Sequence, residues 1–493
     1  MQLLLLSLAQ ATSLRALVEV GDEGLLLRDA VIVEDSPRVV PQGQQLATLE
    51  IRDAESGILA EVAFSDPRHR AVIGVGDAVV LERAFALVWA PWPDEARTVT
   101  LGGSERVPRV APPSSAIAVQ ESGPDDERLD LVYLGDGYTE DELDTFAADV
   151  DRISGYLLSI EPYGAYTGLF NIWRIAEASN DSGVSHYDDG QDAYRDTAYG
   201  CFYGCSGIDR LLCCDDELVL DAVLENVPGA DGVMVLVNDP TYGGAGGFEY
   251  ATSYTADPTG SLVAAHEIGH SLVGLWDEYG YGVSWRGPDG PNCGLDVDDL
   301  PWDHWLDRSA VDAFSPCSYV DYYRPTSRAC MMNTLQDDYC PVCREAAVLA
   351  IYGRLPGMLV QVEPPEGAVE LVGESVTFST SVLGPDDGAS YTWTLSGEVV
   401  GEDATLTLEG CGGDETLVLE VRDPTPWVRA DPDDMLVDGA SWELACTGDG
   451  RIQDRVPLLD PEPNCGCASS PGTTWIGLFA ALLVVVPLRR RLQ

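Results

Sequence analysis

His266-Glu267-Ile268-Gly269-His270 sets two histidines four residues apart, with a glutamate beside the first. In a helix this spacing puts both imidazoles on one face, a turn apart, within reach of one metal ion. Glu267 then stands next to the metal without being a ligand. It can take a proton from a metal-activated water and return it to a leaving amine. Residues 261–276 carry helical periodicity around this motif, and 232–237 ahead of them form a continuous apolar run of strand length. The glycine-rich stretch between, 242–247, lacks the Gly-Lys-Ser/Thr of a phosphate loop. Further upstream, 129–134 has the character of a short buried strand. Residues 139–160 have helical periodicity, with Thr139 as cap and acidic residues in the first turn. Strands alternating with helices in this way predict a mixed α/β unit.

A catalytic zinc takes a third protein ligand and keeps one position open. Between Tyr279 and Arg344 there is no glutamate, which disfavours a Glu ligand from a following helix. Gly274 can end the motif helix and let the chain turn back. Asp277 is then placed to complete the shell, with Glu278 and His304 as competitors.

Outside this unit the patterning changes. Residues 12–115 hold alternating apolar and polar runs, such as 46–51 and 71–81, broken by Gly and Pro, and predict an N-terminal β-rich domain. Its end, 107–115, carries three prolines and reads as a linker. Past Pro364-Pro365, the short runs 375–381, 391–395, 405–408 and 417–421 predict an immunoglobulin-like β-sandwich over 360–450, stapled by Cys411–Cys446. The expected architecture is multidomain: the N-terminal β domain, a central α/β domain over 125–355, the β-sandwich, and a tail over 460–493. No internal repeat is visible.

The chain has 493 residues, 45% hydrophobic and 22% charged, which suits globular folding. Its 82 acidic residues face 28 basic ones, all of them arginine, for a net charge of −54. Such a surface repels phosphate backbones, so no nucleic-acid partner is expected. The segments 181–196 and 289–303 offer carboxylates of the kind calcium takes, but neither has EF-hand spacing, and both read as solvated loops. His69 and His186 read as surface histidines. Thirteen cysteines point to an oxidising compartment and to disulfides. Cys340-Pro-Val-Cys343 could be half of a zinc site or a redox pair. No second pair stands at zinc-ribbon spacing, so a disulfide is expected there too.

The ends agree with export. An apolar run over 3–8 precedes Ala9-Gln10-Ala11, the pattern of a signal peptide over 1–11. Residues 475–488 are apolar and uncharged, shorter than the roughly 20 residues a spanning helix needs, and Arg489-Arg490-Arg491 follows. Trailing arginines stay cytoplasmic, which leaves the bulk of the chain outside. The expected location is the cell surface (outer membrane) or the extracellular space, with membrane contact only through the tail.

Three stretches taken together resemble the immunoglobulin A-cleaving zinc metallopeptidase family. They are 130–138 (Asp-Leu-Val-Tyr-Leu-Gly-Asp-Gly-Tyr), His266–His270 with Gly274-Leu275-Trp276-Asp277-Glu278-Tyr279, and Cys330-Met331-Met332 with Cys340-Pro-Val-Cys343-Arg344-Glu345. The resemblance covers roughly 125–353. It implies a metzincin-like zinc peptidase domain with His266, His270 and Asp277 as zinc ligands and Glu267 as the catalytic residue. It also implies Met332, or its neighbour Met331, in a methionine turn below the metal. Two departures from the usual metzincin pattern stand out: the glycine falls four residues after the second histidine, and the third ligand is Asp where His is usual. The tail, with Gly466-Cys467, the apolar run and the arginines, resembles the myxobacterial C-terminal sorting tag, which implies Cys467 as the attachment point. The expected function is an exported zinc endopeptidase acting on a protein or peptide. The alternatives are a catalytically idle surface binding or adhesion protein, against which an intact Glu267 argues, and a zinc amidase acting on cell-wall peptides. A family name does not carry a substrate across.

Overall fold

The strand Leu129–Asp136 is buried along its whole length, and its side chains divide by parity. Leu129, Leu131 and Tyr133 face one apolar core, while Val132 and Leu134 face another. That is the period-two signature of a strand covered on both faces. The computed structural model describes residues 12–446 except 23, 34–44, 66, 68, 71–78, 81–82, 112–113, 188–192, 248, 257, 372–374, 386–387 and 411–412.

This strand lies inside a six-stranded sheet of order Ile117–Gln120, Phe170–Ile175, Leu129–Asp136, Gly232–Val237, Ala251–Tyr254, Gly244–Gly246. The inner four strands are parallel and both edges antiparallel. Parallel neighbours need long crossovers, and helices supply them. Helices α1 (Leu143–Leu157) and α3 (Thr259–Ile268) cover one face, and α2 (Asp216–Asn226) covers the other. A fourth helix, α4 (Pro341–Tyr352), joins the core of α1 and α3. The periodicity over 139–160 resolves into a 3-10 turn, Glu140–Glu142, followed by α1. Glu142 accepts hydrogen bonds from Thr139 N (3.0 Å) and Thr139 Oγ1 (2.8 Å), which tightens that first turn.

Before the central sheet come two four-stranded sheets that share a core of Leu14, Val18, Leu49, Ile51, Val88 and Val99. Leu17, Val31 and Phe85, on the other side of the first of these sheets, pack into the α2 core. After α4 come a three-stranded and a five-stranded sheet. They face each other through Phe378 and the pair Trp393 and Trp442, with ring centroids 5.2 Å apart for Phe378–Trp442 and 5.7 Å for Trp393–Trp442. The chain is therefore a multidomain, β-rich protein with few helices, as its sequence predicts. Tyr166 and Tyr352 both donate to Asp423 Oδ2 (2.6 and 2.8 Å), tying this last unit to the central one.

Among the described residues three disulfides form: Cys201–Cys214, Cys205–Cys213 and Cys293–Cys317. The disulfide expected at Cys340-Pro-Val-Cys343 does not. Cys330, Cys340 and Cys343 are buried free thiols, because Cys340 and Cys343 direct their sulfurs to the Glu278 carboxylate (3.8 and 3.4 Å). The Cys411–Cys446 staple, the stretch 71–78, the signal segment 1–11 and the tail with Cys467 lie outside the described residues. Among the described residues no helix is long and apolar enough to cross a membrane.

Asp130 is fully buried in the central sheet, where Oδ1 accepts from Trp173 Nε1 (2.6 Å) and Asn171 Nδ2 (3.1 Å). Burial, helped by Asp125 and Asp231, raises its pKa from 3.8 to about 8. A carboxyl raised on folding favours the folded state while protonated, so its contribution is full below the unfolded value and is lost as pH rises through about 8. Asp130→Asn should remove that loss. Thermal midpoints of the wild type should fall relative to the variant as pH rises from the acidic range past 8. Parallel curves for the two proteins would contradict this account of Asp130.

Candidate metal centre

Helix α3 is buried on nearly every side, so its last turn carries His266 and Glu267 into the interior at 5% and 7% exposure. The helix does not simply continue to His270. Residues Gly269–Val273 form a wider π-type turn, which Gly274 closes in the left-handed conformation (φ 80°). This reversal brings Leu275 and Asp277 back over the histidines. Gly269 is a second steric requirement, because a Cβ there would stand 2.9 Å from both Met332 Sδ and Tyr339 Oη.

The two imidazoles meet at nearly right angles, with centroids 4.9 Å apart. Each uses Nδ1 on a backbone carbonyl: His266 on Met331 O (3.0 Å) and His270 on Leu275 O (2.6 Å). With Nδ1–H assigned as donor, each Nε2 presents a lone pair. Both Nε2 atoms face Asp277 Oδ1, at 3.0 Å from His266 and 3.4 Å from His270. Two lone pairs and a carboxylate oxygen converging in a buried space repel one another unless a proton or a metal cation lies between them. The spacing suits a metal, since two ligand atoms at about 2.1 Å in tetrahedral geometry lie about 3.4 Å apart. Asp277 is itself fixed from the far side, where Tyr281 Oη donates to Oδ2 at 2.5 Å.

In the absence of a metal, the surrounding charges favour a proton in that place. Burial opposes a charge on His270, but Asp277 and Glu267 outweigh it and raise its pKa to about 9; His266 is raised in the same way. Burial also opposes charge on Asp277, yet the two imidazoles hold its carboxyl well below the usual range. Glu267 differs: burial raises its pKa, and the histidines only partly offset this. Its carboxylate makes no hydrogen bond among the described residues. It faces a cleft of about 150 Å³ lined also by Arg210, Tyr242, Tyr279 and Asn333.

Of the residues singled out in the sequence, His266, Glu267, His270 and Asp277 are brought together. Met331 supplies the carbonyl that orients His266 and lines the cleft, while Met332 lies buried against Gly269. The competitors for the third position are engaged elsewhere: Glu278 faces Cys340 and Cys343, and His304 Nε2 is 2.5 Å from Glu345 Oε2. In the acidic segments, Asp181, Asp289 and Asp296 accept backbone N–H groups of Asp196, Leu295 and Asp298, so these carboxylates organise turns. His186 pairs with Asp239 at 3.0 Å and stacks on Tyr203. The His69 side chain lies outside the described residues.

Sequence reasoning missed Arg210 and the phenol of Tyr279. Arg210 Nη2 donates to Tyr279 Oη at 3.4 Å, and the Tyr279 ring stacks on His266 with centroids 6.5 Å apart. Tyr279 follows Asp277-Glu278 closely and could have been suspected on that ground. Arg210 carries no local signal, because its place is set by the loop that Cys201–Cys214 and Cys205–Cys213 close.

Residues 117–288 match the model of the family described as IgA Peptidase M64, a span from the first strand of the central sheet through α3 and past Asp277. No curated protein matches the chain. Among solved structures, the fibronectin(III)-like modules of Clostridium thermocellum CbhA match at 15% identity over 18% of this chain and 94% of that one, with a TM-score of 0.13. The N-terminal four Ig domains of Dscam1 isoform 8.4 match at 19% identity over 18% of this chain and 20% of that one, with a TM-score of 0.14. Scores this low carry no weight on fold or function.

Proposed function

From the membership of residues 117–288 in the M64 metallopeptidase family, we propose that the chain is an exported zinc endopeptidase with Glu267 as its proton carrier. The observation that carries this reading is the convergence of His266 Nε2, His270 Nε2 and Asp277 Oδ1 beside Glu267, the one carboxylate among the described residues that lines the cleft. Two imidazoles and a carboxylate suit zinc at neutral pH. Zinc held there supplies a Lewis acid that polarises the scissile carbonyl and activates the attacking water.

The remaining work falls to the chain. Glu267, with its pKa raised by burial, takes the proton from the attacking water and delivers it to the leaving nitrogen. Burial, reinforced by Asp277, keeps Tyr279 a neutral phenol able to donate. Its hydroxyl, steadied by Arg210, donates to the carbonyl oxygen as that atom gains charge. Met331, through its carbonyl, keeps His266 in the tautomer that leaves Nε2 free.

Three closed disulfides support an oxidising destination. We assign the units as an N-terminal β domain, a metzincin-like peptidase domain, an immunoglobulin-like sandwich, and a tail that holds the chain at the surface through Cys467.

Incubating the full chain, loaded with zinc, with a mixed protein digest should generate new amino termini. Glu267→Ala should lower the rate by about 10²–10⁴-fold while metal content by elemental analysis stays unchanged. His270→Ala should lose the metal of this site. Release of material from peptidoglycan alone would move the function to a cell-wall amidase, and no cleavage with metal bound would leave a binding role. Tyr279→Phe should lower kcat by about 10²-fold with KM little changed; a change confined to KM would place Tyr279 in substrate binding.

A further inference from the structure

Behind the histidine site lies a second convergence of ligand-type groups. Cys330 precedes the Met331-Met332 pair, Cys340 caps α4, and Cys343 sits in the first turn of that helix. Each is at most 2% exposed, and Glu278, from the segment after Asp277, is fully buried with them. One ligand atom from each of the four lies within 4.8 Å of all the others. The Cys330 and Cys343 sulfurs are 3.6 Å apart, and Glu278 Oε1 is 3.4 Å from Cys343 Sγ and 3.8 Å from Cys340 Sγ.

These distances discriminate between explanations. A disulfide would bring two sulfurs to about 2.05 Å. A tetrahedral zinc with bonds of about 2.3 Å to sulfur and about 2.1 Å to oxygen sets sulfurs about 3.8 Å apart, and sulfur and oxygen about 3.6 Å apart. The observed contacts match that second set. The chemistry points the same way. The Glu278 carboxylate has only weak neutral donors among the described residues, the thiols of Cys340 and Cys343, Asn292 Nδ2 at 3.3 Å and Thr326 Oγ1 at 3.4 Å, and no salt bridge. Arg324 feels its charge but directs its terminal nitrogens to the carbonyls of Pro316 and Ser327. A buried carboxylate facing three thiols lacks a counter-charge, and a cation supplies it.

We propose that Glu278, Cys330, Cys340 and Cys343 bind a second metal ion, a structural zinc. Four protein ligands fill its shell, so no position stays open for a substrate. Its role follows from covalent neighbours. Glu278 is joined to Asp277, which faces both histidines, and Cys330 is joined to Met331, whose carbonyl holds His266. The same two segments are already stitched by Glu278 N to Met332 O and by Asn333 Nδ2 to Glu278 O, both at 2.8 Å. The second ion clamps them together and to the start of α4, fixing the outer shell of the first site.

Elemental analysis of the full chain, purified under reducing conditions, should find two zinc ions per chain. His270→Ala should keep one, and Cys343→Ser should lose the other. Cobalt substitution reads the thiolate site directly. Wild type and His270→Ala should both show intense near-ultraviolet thiolate-to-cobalt absorption, and Cys343→Ser should not. Should Cys343→Ser fail to fold, the thiolate-to-cobalt band of the wild type and of His270→Ala decides, and alkylation of wild type purified without reductant, after denaturation in chelator, should modify all three cysteines. One metal per chain with the cobalt–thiolate band would uphold this site while overturning the histidine site. A disulfide between any two of the three cysteines, or a metal-loaded protein lacking the band, would overturn the proposal.

Discussion

Two imidazole nitrogens that face one buried carboxylate oxygen, at 3.0 and 3.4 Å, need a proton or a metal cation between them. Everything around the site maintains that arrangement. The carbonyls of Met331 and Leu275 hold the far side of each imidazole, and Tyr281 holds the far oxygen of Asp277. The left-handed turn at Gly274 makes the geometry available at all, because it folds the chain after the helix back over its own last turn. Without that reversal Asp277 would continue away from the histidines along the helix axis.

The central sheet explains why such a turn can be tolerated. Helix α3 is packed between the strands beneath it and the segment 330–339 above, where Met332 and Tyr339 leave no room for a Cβ at Gly269 in the π-type turn. The same upper segment delivers Cys330 to the thiol cluster and the Met331 carbonyl to His266. The two groups of ligand-type side chains are thus neighbours by construction, one on each side of the peptide joining Asp277 to Glu278. Two consecutive acidic residues thus face two different groups, Asp277 the histidines and Glu278 the cysteines.

The flanking sheets contribute through packing. One N-terminal sheet shares a core with α2, and the C-terminal sheets anchor Asp423 to Tyr166 and Tyr352. These contacts brace the scaffold that carries the site.

Much of this was legible in the sequence because it is local. The spacing of His266 and His270 fixes their shared face, the apolar run 129–134 marks a short buried strand, and Gly274 signals the end of the helix. The C-terminal strands fall close to their predicted runs for the same reason. The rest depends on contacts between distant residues, which spacing does not encode. Cys340-Pro-Val-Cys343 looked like a pair in want of a disulfide, since its partners, Glu278 and Cys330, lie 62 and 10 residues upstream of Cys340 and follow no motif. Arg210 reaches the cleft only because two disulfides close its loop. The sequence by itself determined which side chains share a helical turn and where that turn ends. Only the tertiary structure decided which carboxylate faces which centre, because the chain reversal and the packing of segment 330–343 against α3 are set by long-range burial.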